Sequence, residues 1–257
     1  MPEHTTFFHY LLSSFPDAFK ENAKNFGTTF LGGSPLAYRD FEPVFAAAFI
    51  MLLIVYLAAE MRSTFRDLKS SAVPEDKLTL RTFFEVFFEY FYDLAKSVMG
   101  PKSAKRYFPL IGGSAIFIFV SNSVGLIPGF SPPTSSWNIT IACALLVFLS
   151  FNYYGIKENG WGYVKHLAGP VPALAPLIFP IEVISLLVRP LTLSIRLMLN
   201  LTVDHLLVSI LMGMYALFLP IPVFFLGLIV IAVQTLVFCL LTSIYIGLAT
   251  EHAEEHH

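Results

Sequence analysis

The chain has 257 residues, 56% of them hydrophobic and 13% charged, where a typical soluble domain carries about 25% charged residues. Mean hydropathy is +0.69 and the formal net charge is −2. An ordinary soluble domain is excluded, and there is no electrostatic case for nucleic acid as a partner.

The first residues, MPEHTTFFHYLLSSF, lack the basic leader of a signal peptide. Phe7, Phe8, Leu11, Leu12 and Phe15 recur at helical spacing, so residues 5–15 are predicted as an amphipathic surface helix within an external segment 1–40. A single membrane domain is expected over 41–250, and a polar tail, EHAEEHH, over 251–257. Spanning the hydrocarbon core takes about 20 apolar residues. Such runs lie at about 43–61, 107–127, 138–155, 174–219 and 221–249. Residues 80–99 mix many aromatics with Glu85, Glu89, Asp93 and Lys96, which suits an interfacial or bundle-edge helix better than a span. The expected fold class is an all-α polytopic membrane protein of about five membrane segments plus that interfacial helix. Cys143 and Cys239 each sit inside an apolar run and read as small buried hydrophobes.

Orientation follows from the distribution of lysine and arginine. Residues 62–106 carry nine of the sixteen and residues 107–156 carry none, while Lys157 and Lys165 follow the third span. The positive-inside rule puts 62–106 and 157–170 in the cytoplasm, 128–137 outside and, one span earlier, the N-terminus outside.

The segment 181–219 poses a length problem. As one α-helix it would be about 58 Å long, against about 30 Å of hydrocarbon. It is either two short spans or one long, steeply tilted helix. Turn chemistry for a hairpin is scarce: Pro190 could kink the helix, but no Gly-Pro or Asn-Gly pair follows it. The run 221–249 is also overlong, at about 44 Å.

Between Lys165 and Glu251 the sequence holds six ionisable side chains of the Asp, Glu, His, Lys and Arg types: His166, Glu182, Arg189, Arg196, Asp204 and His205. Glu182, Arg189 and Arg196 recur every seven residues, which strings them along one helix face. Asn200 and Asp204 follow at one-turn intervals, His205 lies about half a turn round, and Gln234 and Tyr245 share a face of the next helix. Arg189 either snorkels to the surface or pairs with Glu182. Asn200, Thr202, Gln234 and Thr242 suit hydrogen bonds between helices. Arg196 lies too deep in its run to snorkel, and its nearest acid is eight residues away. An ionisable residue at such depth is a functional candidate by default.

The stretches LLVRPLTLSIRLMLNLTVDHLLV (186–208) and VQTLVFCLLTSIYIGLATEH (233–252) resemble the last two helices of subunit a of the F-type ATP synthases. The pattern P-x-x-L-x-x-R-L-x-x-N is present as Pro190, Leu193, Arg196, Leu197 and Asn200, and Q-x-x-x-F-x-x-L-T-x-x-Y as Gln234, Phe238, Leu241, Thr242 and Tyr245. SNSVGLIPG (121–129) resembles the family's Asn-x-x-Gly-Leu-x-Pro turn. The resemblance implies one long tilted helix over 174–219, paired as a hairpin with the last helix, and a cytoplasmic C-terminus. It implies a bacterial plasma-membrane stator subunit with no catalytic centre and no cofactor, whose partners are the c-ring, peripheral-stalk b subunits and lipid. Two aqueous half-channels would reach a ring carboxylate from opposite sides, with Arg196 between them. Glu182 would serve the cytoplasmic path, and Asn200, Gln234 and Tyr245 would lie near the arginine and the outer path. His205 is usually complemented seven positions before the glutamine, and that position here is Gly227. Asp204 or ordered water is the expected substitute. Two other readings are a stand-alone secondary transporter binding an anionic substrate at Arg196 and an intramembrane enzyme. No ligand or nucleophile set for the latter occurs in the spans.

Overall fold

A computed structural model describes residues 41–64, 79–127, 130, 132–160, 175–214 and 220–250. The predicted helix 5–15, the external segment 1–40, the linker 65–78, the loop 161–174, the junction 215–219 and the tail 251–257 lie outside them. The described chain is helical throughout: α1 (Glu42–Thr64), α2 (Leu80–Val124), a 3-10 turn (Pro133–Ser135), α3 (Trp137–Asn159), α4 (Ala175–Met214) and α5 (Pro220–Thr250). Five helices are long and apolar enough to cross a membrane. In a bilayer every backbone polar group must find its partner within the protein, and a helix does this within one segment.

The charged helix expected at 80–99 is joined to the second span as one element. Thr79 caps its start by accepting from the Thr82 amide. Gly100, at φ 77° and ψ 164°, reverses the chain, and Pro101 opens the second limb. The limbs then run antiparallel. Tyr92 meets Phe108 at 5.2 Å between ring centroids, and Phe87 meets Phe119 at 5.2 Å. The aromatics of 80–99 thus form the seam of a helical hairpin.

α5 lies along the second limb of α2 in the opposite sense. Gly247 faces Met99, and Gly227 faces Leu126. Between these contacts the Cys239 thiol approaches the Ile111 carbonyl at 3.9 Å. α3 packs antiparallel to the same limb, held by Arg106–Glu158 at 2.6 Å and by Tyr107 against Tyr154 at 4.6 Å. The other end is closed by the 3-10 turn, where the Thr134 hydroxyl donates to Asn122 Oδ1 at 2.7 Å. A Cβ on Gly125 would sit 2.8 Å from Pro132 Cγ, so only glycine admits the returning turn there. The common core comprises Ala104, Ile111, Ala115 and Ile118 of α2, Val147 and Phe151 of α3, Leu193 and Leu197 of α4, and Phe238 and Ile246 of α5. Cys143 and Cys239 are unbridged.

α4 settles the length problem in favour of one helix. It runs unbroken for 40 residues through Pro180 and Pro190, although each proline removes one backbone donor. At 1.5 Å per residue it is about 60 Å long, twice the hydrocarbon thickness.

Candidate functional site

α4 and α5 form an antiparallel pair with a defined register. The Asn200 amide nitrogen donates to Gln234 Oε1 at 2.6 Å, and the Arg189 guanidinium lies over the Tyr245 ring, 5.3 Å from its centroid. Eleven residues separate the contacts on each helix, so both belong to one register. That register puts Arg196 level with Phe238.

The polar face of α4 resolves into two clusters with Arg196 between them. At the basic end of the molecule, the end bearing Lys102, Lys105, Arg106 and Lys157, Arg189 Nη2 reaches Glu182 Oε1 at 3.7 Å while stacking on Tyr245. Both partners are neutralised or screened there, which is how a cation is tolerated within an apolar run. Toward the other end, Asn200 and Gln234 form the second cluster. Gln234 is 4% exposed, and its amide nitrogen has no acceptor among the described residues. A buried amide donor without a partner is costly. Asp204 is half-buried one turn beyond Asn200. His205 lies on α4, but its side chain is outside the described residues.

Arg196 is exposed on the surface of the chain, and no described residue forms an ion pair or hydrogen bond with it. Leu193 and Leu197 on either side of it are 2% and 0% exposed. They turn α4 so that the guanidinium faces outward along the α4–α5 seam. Around it the outer surface of α4 is apolar, with Leu187, Leu191, Leu199 and Val203 all exposed.

The structure therefore brings together Glu182 with Tyr245, and Asn200 with Gln234, and keeps the two groups on opposite sides of Arg196. Tyr245 does not join Asn200 and Gln234. Arg189, which sequence reasoning left as a snorkelling or pairing residue, is the centre of its cluster. Its signal was present in the seven-residue spacing from Glu182. Gly227, the position of the expected complement to His205, is buried. A Cβ there would lie 3.0 Å from Leu126 Cδ2, so the tip of Leu126 would have to give way to any side chain at this position. No group of three or more potential metal ligands occurs among the described residues.

Residues 44–247 match the family model described as ATP synthase A chain. A protein named ATP synthase subunit a from Sorangium cellulosum (strain So ce56) is 65% identical over 256 residues, covering 100% of both chains. Proteins of the same name from Sulfurihydrogenibium sp. (strain YO3AOP1) and Geobacter sulfurreducens are each 42% identical. The matches cover 80% of this chain and 97% of the relative in the first case, and 81% and 88% in the second.

Proposed function

The chain belongs to the ATP synthase A chain family, and on that premise we propose that Arg196 divides two aqueous half-channels that carry protons to and from a rotating c-ring. Membership makes the chain a multi-pass membrane subunit of an F-type ATP synthase, serving proton transport and ATP synthesis. It acts without a catalytic centre of its own, beside the ring and the peripheral-stalk b subunits. It lies in a bacterial plasma membrane with the N-terminus outside and the C-terminus in the cytoplasm. The packing of Gly247 on Met99, beside the basic apex of α2, supports that position for the C-terminal end of α5.

One observation carries the reading: Arg196 faces out of the chain without a described partner, between the Glu182–Arg189–Tyr245 and Asn200–Gln234 polar clusters. A guanidinium keeps its proton under any condition the membrane imposes. Beside a ring carboxylate it favours the ionised form, so the proton leaves on that side. Once past the arginine the carboxylate must face lipid, where charge is costly, and so it first takes a proton from the other half-channel. A fixed cation between the channels also repels protons and blocks a direct leak. Glu182, Arg189 and Tyr245 line the cytoplasmic path, and Asn200, Gln234, Asp204 and His205 the outer one. Each unit charge crossing the membrane supplies about 2.3 kcal/mol per 100 mV.

Vesicles containing the complex with Arg196→Ala test this. ATP-driven acidification is expected to vanish while the complex still assembles; wild-type acidification would refute the role.

A further inference from the structure

The side-chain hydroxyls of these helices mostly satisfy themselves locally. Ser114, Ser123, Thr235, Thr242 and Thr250 each donate to a carbonyl one turn back in their own helix. Ser194 does otherwise. It is 0% exposed, and its hydroxyl crosses to α3, donating to Thr140 Oγ1 at 3.2 Å. Thr140 is also 0% exposed, and its own proton is shared between the Trp137 carbonyl at 3.0 Å and the Ser136 carbonyl at 3.2 Å. Each hydroxyl proton thus has an acceptor, and the short chain ends on the backbone of the first turn of α3. Such fully satisfied buried polar contacts specify one arrangement where apolar packing tolerates several.

The position of this contact on α4 gives it a consequence. Ser194 and Asn200 are six residues apart, about 9 Å along the axis and about 120° around it. Ser194 ties one flank of α4 to α3, and Asn200 ties the other flank to Gln234 of α5 at 2.6 Å. Arg196 falls between the two ties along the helix and about 40° beyond Asn200 around it. A roll of α4 by that amount turns the guanidinium into the α4–α5 seam in one sense and away from it in the other. Leu193, Leu197 and Leu201 form the buried stripe between the flanks, but leucines on a smooth apolar seam leave rotation and sliding weakly defined.

We propose that Ser194 and Thr140 are positioning residues for Arg196: their hydrogen bond is the second of two pins that set the rotation and height of α4. The inference rests on the role given to Arg196 above. Neither residue touches the transported proton. They act by holding the arginine where a partner carboxylate can meet it.

The test uses the assembled complex in membrane vesicles, with protons pumped per ATP hydrolysed measured per assembled complex. Thr140→Val removes the acceptor and leaves Ser194 free to bond within its own helix, so folding is preserved. The balance between pinned and rolled α4 is expected to shift about threefold to tenfold, the equilibrium effect of one lost hydrogen bond, and coupling to fall with it, up to about twofold where the two arrangements become equally populated. Thr140→Ser keeps the hydroxyl and is expected to couple as wild type. Ser194→Ala combined with Thr140→Val is expected to be no worse than either alone, as for two halves of one interaction. Wild-type coupling in Thr140→Val, no rescue by Thr140→Ser, or additive losses would each overturn the proposal. Arg196→Ala, run alongside, separates the premises. If it pumps normally, the reading of Arg196 fails; if it is inactive while the Thr140 variants are unaffected, only the pin fails.

Discussion

Asp204 carries the clearest untried question at the level of single side chains. The family resemblance leads one to expect a titratable complement to His205 at position 227, and that position is a buried glycine whose missing side-chain space holds Leu126. A side chain at 227 would first have to displace the tip of Leu126. Asp204 adjoins His205 in the chain, lies one turn beyond Asn200 and is half-buried, so it can face the same polar seam as the Asn200–Gln234 pair. The buried Gln234 amide nitrogen, without a described acceptor, indicates that this part of the seam has hydrogen-bonding capacity still to satisfy. If Asp204 relays protons on the outer path, Asp204→Asn keeps the shape and removes the exchangeable charge. Proton-driven ATP synthesis should then slow by about a hundredfold, the lower range for loss of a positioned acid–base group. ATP-driven pumping in vesicles should slow with it, because the path is shared. Unchanged pumping would remove Asp204 from the path.

Among the elements, α2 depends most on one backbone position. Gly100 occupies a region of φ and ψ open essentially to glycine alone. No atom outside its immediate neighbours lies within 4 Å of where a Cβ would stand, so any cost of Gly100→Ala comes from the backbone and not from crowding. That cost is about 1–3 kcal/mol, or a fall of about 2–12 °C in the melting temperature of the detergent-solubilised chain. Gly113→Ala is the control. Its site is equally open but helical, and alanine is favoured over glycine there, so its melting temperature should hold or rise. The same element marks where sequence reading reached its limit. Runs of apolar residues placed α1, α3 and α5 to within a few residues, because long hydrophobic segments report directly on the hydrocarbon they cross. The length of 181–219, with its lack of turn residues, and the resemblance together pointed to the single helix α4. The hairpin in α2 is not legible from polarity alone: Gly100-Pro101 is a turn signal, but the charges of 80–99 mask the aromatic face that pairs with 101–124. The site shows the same division. Spacing alone put Glu182, Arg189, Arg196 and Asn200 on one face. Which residue of α5 meets which of α4 depends on where the connecting turn closes, and helical periodicity carries no information about that. Hence Tyr245 was grouped with Gln234 when its contact is Arg189.

For the whole molecule, the open question is how a chain this apolar tolerates a cation exposed on its membrane face. Glu182 compensates Arg189 within the chain, while Arg196 has no described compensation. The surface around it, from Leu187 to Val203, is the apolar face of a helix about 60 Å long. A surface of that kind, carrying one charge, fits a partner that supplies the opposite charge at one height and apolar contact elsewhere. Sites like this are built against the stability of the isolated chain, since local choices that serve function violate the rules that serve folding. The consequence is measurable as an opposition between two assays. Arg196→Leu replaces an uncompensated cation with the residue type that surrounds it. The isolated chain in lipid–detergent micelles should therefore melt no lower than wild type, and about 2–4 °C higher if removing the charge is worth about 1 kcal/mol. The same substitution in the assembled complex should abolish coupled proton transport. A melting temperature several degrees below wild type would mean that Arg196 is held by interactions inside its own chain, and the ring carboxylate would then lose its standing as the arginine's expected counter-charge.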